Sequence, residues 1–263
     1  GEKKLSDSWS SMYIELHESE SFFSPDKMKE QYEAIDEYIE YHREKGRDVS
    51  VGVHVPFEHF DLADPDPVSR RIAIEDAKKC IEIAGYARSS GASSVYVVMH
   101  AYGDMAEKGR YLEIMKESVR ELLPLAEKYD VNLRYENCYG NYIASSPDDL
   151  RAVIDGISHP RFGFILDLSH WMLAYNIKGG SEDFVLDRFL ELSPDYFHVS
   201  DADGVIGEGL LIGEGEIDWD MVKEGLDRLK HDRDIILTSE AKSQHLLDYA
   251  GTVSYTHLTL PTN

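Results

Sequence analysis

Cationic side chains are scarce in this chain: 27 Lys and Arg stand against 50 Asp and Glu, a net charge of -23. A field of that sign repels phosphate backbones and anionic lipid head groups, so nucleic acid and membrane surfaces are poor partners. A divalent cation or a neutral polyol suits it better, although the same excess also serves solubility. Cysteine is almost absent. Cys80 and Cys138 are the only two, they match no paired metal-ligand spacing, and nothing demands an oxidising compartment. No apolar run approaches the ~20 residues needed to cross a bilayer. The opening GEKKLSDSW has no apolar stretch that would serve as a signal peptide. A cytoplasmic protein is the expectation. Gly179–Gly180 and GEGLLIGEG follow no strand in dinucleotide-binding spacing, and Ser145–Ser146 has no positioned base.

What the chain does have is regular alternation. Its 263 residues are 42% hydrophobic, enough for one α/β barrel. Short β-type runs end at His17, His54, His100, Glu136, Asp167 with His170, His198 and Glu240. Between them lie helical patterns, at Pro25–Gly46, Arg70–Ser90, Arg110–Tyr129, Pro147–Gly156, Glu182–Leu192 and Trp219–Lys230. Seven strands with six intervening helices and short loops predict a parallel sheet closing into a (β/α)8 TIM barrel. With eight strands expected, one β/α unit is expected to be missing before residue 1, and the last helix too. The expected layout is a single incomplete barrel over residues 1–252, with a non-native-looking tail, VSYTHLTLPTN, at 253–263. GEKKLSDSW then reads as the remnant of a lost first unit. A barrel short of a strand exposes sheet edges and invites homo-oligomers.

In such a barrel every strand delivers its last side chains to one rim. Glu136, Asp167, His198 and Glu240 therefore converge. Taken singly, each is as well explained as a solvated or salt-bridged strand end. Together, carboxylates ~4 Å apart cost roughly 4 kcal/mol per pair at a surface-like dielectric, and a divalent cation removes that penalty. One imidazole with several carboxylates suits Mn, Mg, Co or Zn. His54 and His100 close consecutive strands, so with Glu136 as a bridge they can hold a second ion; otherwise they are substrate-binding or structural. His170, at the start of the loop after Asp167, is expected to contact a substrate hydroxyl, with metal binding or a structural role as the alternatives, and Trp171 beside it either packs in the core or stacks on a ligand ring.

VHVP, VVMHAYG, YENCYG, FILDLSHW, HVSDADG, IGEGEIDW and LTSEAK occur in the order found in the xylose isomerase-like barrel superfamily, which the chain resembles from about Tyr13 to Lys242. The superfamily includes sugar epimerases, keto-sugar isomerases and zinc-dependent apurinic endonucleases. The resemblance implies one metal on Glu136, Asp167, His198 and Glu240, acid–base work by Glu136 and Glu240, and a substrate contact at His170. It implies a metal-dependent isomerase or epimerase of a small sugar or polyol, phosphorylated or not, acting through an enediolate. The alternative is a zinc-dependent phosphodiesterase of the apurinic endonuclease type. Two departures stand out. Gly204 occupies the position, six residues after His198, where tagatose-type epimerases carry a substrate-holding arginine. Gly207–Glu208–Gly209 replaces the Asp-x-His pair that binds a third zinc in the endonucleases.

Overall fold

A computed structural model describes residues 11–17, 23–56, 60–140, 142–204, 207–230, 235–240 and 253–255. The readings made of GEKKLSDSW and of residues 256–263 lie outside the described residues. Seven parallel strands follow in chain order: β1 (Ser11–His17), β2 (Asp48–His54), β3 (Ser94–Met99), β4 (Asn132–Glu136), β5 (Phe162–Asp167), β6 (Tyr196–Val199) and β7 (Ile236–Ser239). Each pairs with the next. The sheet curls until β1 and β7 approach one another, and a short strand β8 (Val253–Tyr255) pairs antiparallel with β1. This is an α/β TIM-barrel fold.

The helices pack outside: α1 (Pro25–Arg43), α2 (Pro67–Ser90), α3 (Lys108–Tyr129), α4 (Pro147–Ile157), α5 (Leu168–Ile177), α6 (Leu186–Leu190) and α7 (Trp219–Lys230). Three of them start the same way. Ser24, Asp66 and Ser146 each cap the following helix through the side chain, with proline in the first helical positions. That pairing suits a helix start, because the cap satisfies one orphan N–H and proline has none to lose. α2 lays Ala73, Ala77, Ile81 and Ala84 into the core, and burying a side chain such as Ile81 is worth about 1.5–3 kcal/mol. Among the described residues no helix is long and apolar enough to cross a membrane.

Two local expectations are corrected. The β5 run ends at Asp167, and His170 lies in the first turn of α5 rather than in a loop. Asp167 causes this, because its Oδ1 accepts from His170 N at 2.6 Å and so caps the helix. The helix expected over Glu182–Leu192 is a 3-10 turn, Glu182–Phe184, followed by the short α6. Val185 separates them with extended backbone (φ -64, ψ 147).

Strand side chains alternate between the two faces of a sheet, so the barrel interior is read every second residue. On β3 that series is Tyr96, Val98, His100; on β5 it is Ile165, Asp167; on β6 it is Tyr196, His198. Tyr96, Val98, Ile165, Tyr196 and the flanking Ile236 form their own apolar cluster inside the barrel. Two residues further along, the same strands present titratable groups.

Candidate active site and metal centre

Among the described residues, Glu136, Asp167, His198 and Glu240 bring ligand-type atoms within 4.8 Å of one another. His198 is at the centre. Its Nδ1 lies 3.0 Å from Glu136 Oε1, 3.1 Å from Glu240 Oε1 and 3.9 Å from Asp167 Oδ2. The ladder explains the meeting: Asp167 is in register with His198, and Glu240 N donates to Val199 O at 3.2 Å. Glu136, Asp167 and His198 are buried, while the Glu240 side chain is 20% exposed. The cluster is thus open at Glu240.

Asp167 divides its work between its two oxygens. Oδ1 takes His170 N and the Ser169 hydroxyl, the latter at 2.8 Å. Oδ2 is buried and has no hydrogen-bond partner among the described residues. A buried carboxylate oxygen left so is costly, and a bound cation would relieve it. Two hard carboxylates, a third from Glu240 and one imidazole are a donor set suited to a divalent metal. Asn137 locks the peptide behind it, donating to Asp167 O at 3.0 Å and accepting from Asp167 N at 2.8 Å.

Glu136 is the shared member. Its Oε2 lies 3.2 Å from His54 Nε2, and its Oε1 lies 3.4 Å from His170 Nδ1. Burial alone would push its pKa up, but the charge of His198 and hydrogen bonds from His170, His198 and His54 hold it well below the usual carboxylate range. His54 Nδ1 sits 2.8 Å from Val55 O. With the proton on Nδ1, Nε2 can meet a carboxylate only through a second proton or a cation. The structure does not gather His54, His100 and Glu136 as a ligand set of the same closeness. The His54 and His100 rings are 5.5 Å apart, and His100 meets Tyr142 edge-on at 5.0 Å. Burial, then the neighbouring His54, pushes His100 down to about 3, so it is neutral.

His170 behaves in the opposite way. Burial would lower it, yet Asp167, Cys138 and Glu136 raise it well above its ordinary value. Nδ1 lies 3.0 Å from Asn137 O, and Nε2 lies 3.3 Å from Glu208 Oε2. That is the environment of a doubly donating imidazolium. Cys138 joins Glu136 and His170 in a second set of potential ligand atoms, although burial and the Glu136 charge push its thiol up to about 12. Trp171 is not brought to the cluster. It is buried in the core, and its Nε1 donates to Phe184 O at 2.8 Å.

Sequence reasoning passed over Glu208 and Tyr139 as site residues. Tyr139 OH donates to Glu208 Oε2 at 2.9 Å, which makes a chain Glu136–His170–Glu208–Tyr139 along the rim. The only local signal was a glutamate between two glycines. The loop that carries it is tied by Asp201, which accepts from Ala202 N, Gly213 N, Ile217 N and Trp219 Nε1 at 2.8–3.1 Å. Trp219 is therefore a loop anchor. At Gly204, φ is +77, and a Cβ would come within 2.5 Å of Glu216 Oε2 and 2.9 Å of Asn176 Nδ2. An arginine there would strain the left-handed backbone and displace the Glu216 and Asn176 side chains.

A curled parallel barrel with an acidic, histidine-centred cluster at the carboxyl ends of its strands is a TIM barrel with a candidate metal site where such barrels build their active sites. The chain belongs to the xylose isomerase-like TIM barrel family, whose model matches residues 11–252. An uncharacterised protein of Methanocaldococcus jannaschii, MJ1311, is 25% identical over 221 residues, covering 82% of this chain and 70% of its own. The fold is similar to that of a D-tagatose 3-epimerase-like protein, with TM-score 0.69, 22% identity, and coverage of 90% of this chain and 84% of that one. It is also similar to D-psicose 3-epimerase from Clostridium cellulolyticum H10, solved with D-tagatose, with TM-score 0.60, 18% identity, and coverage of 86% and 73%.

Proposed function

We propose that this protein is a metal-dependent isomerase or epimerase of a small sugar or polyol. The observation that carries the reading is the convergence of Glu136, Asp167, His198 and Glu240 within 4.8 Å. Glu136, Asp167, His198 and Glu240 hold the divalent ion: Mn, Mg, Co or Zn. When bound, the ion would supply Lewis acidity that polarises a carbonyl and makes the neighbouring C–H more acidic. Glu136 and Glu240 act as the proton carriers, one removing the proton α to the carbonyl and the other returning it. Glu240, the more exposed of the two, is placed to meet substrate first. His170, charged and held between Glu136 and Glu208, donates to a substrate hydroxyl. The epimerases of similar fold support the sugar assignment, and Gly204 argues against a substrate grip of the tagatose-epimerase kind.

The test is wash-in of solvent deuterium at the carbon next to the carbonyl, followed by NMR, with metal-loaded protein and a panel of ketoses. Glu240→Gln should retain the fold and metal and lose about 10²–10⁴-fold in exchange. Exchange at the wild-type rate in metal-loaded Glu240→Gln would sink the reading. The phosphodiesterase alternative draws on the His54–Glu136 contact of 3.2 Å. It requires two tightly bound zincs per chain and affinity for DNA, and the charge of -23 opposes the second requirement.

A further inference from the structure

A cavity of about 410 Å³ opens beside the cluster, between the segment after β4, the start of α4 and the end of α5. Its size falls within the ~300–1,000 Å³ of ordinary small-molecule sites. None of the proton carriers or ligands named above lines it. Two side chains belong to both places. Tyr139 lines the cavity and holds its ring 5.4 Å from that of His170. Tyr142 lines it too and meets His100 at 5.0 Å. The two tyrosines thus join the site histidines to the cavity.

Most of the charges around the cavity are paired. Lys108 Nζ lies 2.8 Å from Asp149 Oδ1. Asp148 and Asp183 both pair with Arg188, at 2.7 and 3.0 Å. Lys178 Nζ stands 5.9 Å over the Phe184 ring. A phosphate would have to sit against three carboxylates, Asp148, Asp149 and Asp183, with only Lys108 and Lys178 among the described lining residues to meet it. An uncharged, hydroxyl-rich ring meets no such repulsion, and aromatic faces beside polar edges suit it.

The geometry points to a subsite for a glycosyl substituent: the substrate is a ketose carrying a second, uncharged sugar ring. The ketose sits at Glu136 and Glu240, and the second ring lies in the cavity against Tyr139 and Tyr142. This deepens, and rests on, the isomerase reading. The probes are D-fructose and the keto-disaccharides turanose, maltulose and isomaltulose, titrated by calorimetry into manganese-loaded protein. The variant is Ile177→Trp, an enlargement of a cavity-wall residue that is 55% exposed and so free to grow.

At least one disaccharide should bind ten-fold or more tightly than D-fructose, and Ile177→Trp should abolish that preference while leaving D-fructose binding unchanged. Three outcomes overturn the subsite: D-fructose binding as tightly as every disaccharide, a preference that survives Ile177→Trp, or no binding by any probe. Failure of the isomerase reading is separately visible, as disaccharide binding without deuterium wash-in.

Discussion

The barrel interior buries charge at two levels, and it treats them differently. At the floor the Arg134 guanidinium takes both oxygens of Asp195, at 2.9 and 2.6 Å, and lies 5.0 Å over the Tyr196 ring. Its remaining N–H groups reach Leu133 O and Arg161 O. Gly163 makes room for it, since a Cβ there would approach the guanidinium to 3.3 Å. Tyr196 OH shares a 2.7 Å hydrogen bond with Ser94 Oγ. At the rim, three carboxylates face one imidazole nitrogen, and Asp167 Oδ2 has no hydrogen-bond partner among the described residues. The floor is neutralised within the protein. The rim's histidines offset part of its carboxylate charge, and the unmet Asp167 Oδ2 leaves a place that a cation would fill.

Breaking the floor should give the largest change in stability. Asp195→Ala leaves Arg134, 7% exposed, without its counter-charge, whereas Arg134→Met leaves an Asp195 that is 39% exposed and can hydrate. Removing a partner from a buried pair costs about 3–5 kcal/mol, so Asp195→Ala should fall in that range, and Arg134→Met should cost about 2 kcal/mol through lost packing and hydrogen bonds. Urea titration of both variants checks the order. Equal losses would mean that the floor pair is not governed by burial of the guanidinium.

The rim should respond to metal where the floor does not. An ion present at 100 times its dissociation constant stabilises the folded state by about 2.7 kcal/mol. Asp167→Asn should weaken that stabilisation at least ten-fold in metal affinity. It should also cost the metal-free protein little, because it relieves repulsion while the amide oxygen can still cap α5. Arg134→Met should leave the affinity unchanged. Thermal melts with and without manganese or zinc report all three, and a metal response equal in wild type and Asp167→Asn would remove Asp167 from the ligand set.

This contrast was partly written in the chain. Apolar runs that end in a carboxylate or imidazole placed seven strands and pointed to one rim, because strand period and barrel polarity are local rules. What was not local was not visible. Asp167 was legible as a strand end, but its second task as a helix cap hid α5 and put His170 in a loop. Glu208 reaches His170 only because Asp201 ties a glycine-containing loop, and Tyr139 enters through Glu208. Those are contacts between separate segments, with no periodicity to announce them. Trp171, adjacent to His170 in sequence, points to the core because neighbours on a helix face different directions.

The smallest effect tests whether the rim carries uncompensated desolvation beyond the four converging residues. Asp61, after β2, accepts from Ala63 N at 2.8 Å and Tyr102 N at 3.3 Å, tying the loops after β2 and β3. Burial pushes its carboxyl up to about 6, against the pull of those two N–H groups. A group whose folded pKa is raised binds more protons in the native state between its unfolded and folded values. Its contribution to stability is complete below pH ~4 and is lost as pH rises through ~6. Asp61→Asn keeps an oxygen for both N–H groups and cannot ionise. The difference in unfolding free energy between the variant and wild type, measured in the metal-free protein, should therefore grow in the variant's favour from pH 4 to 6 and level off above. Other carboxylates titrate alike in both proteins and cancel. A flat difference would confine the rim's imbalance to Glu136, Asp167, His198 and Glu240. A slope of the opposite sign would mean that the Ala63 and Tyr102 hydrogen bonds outweigh burial at Asp61.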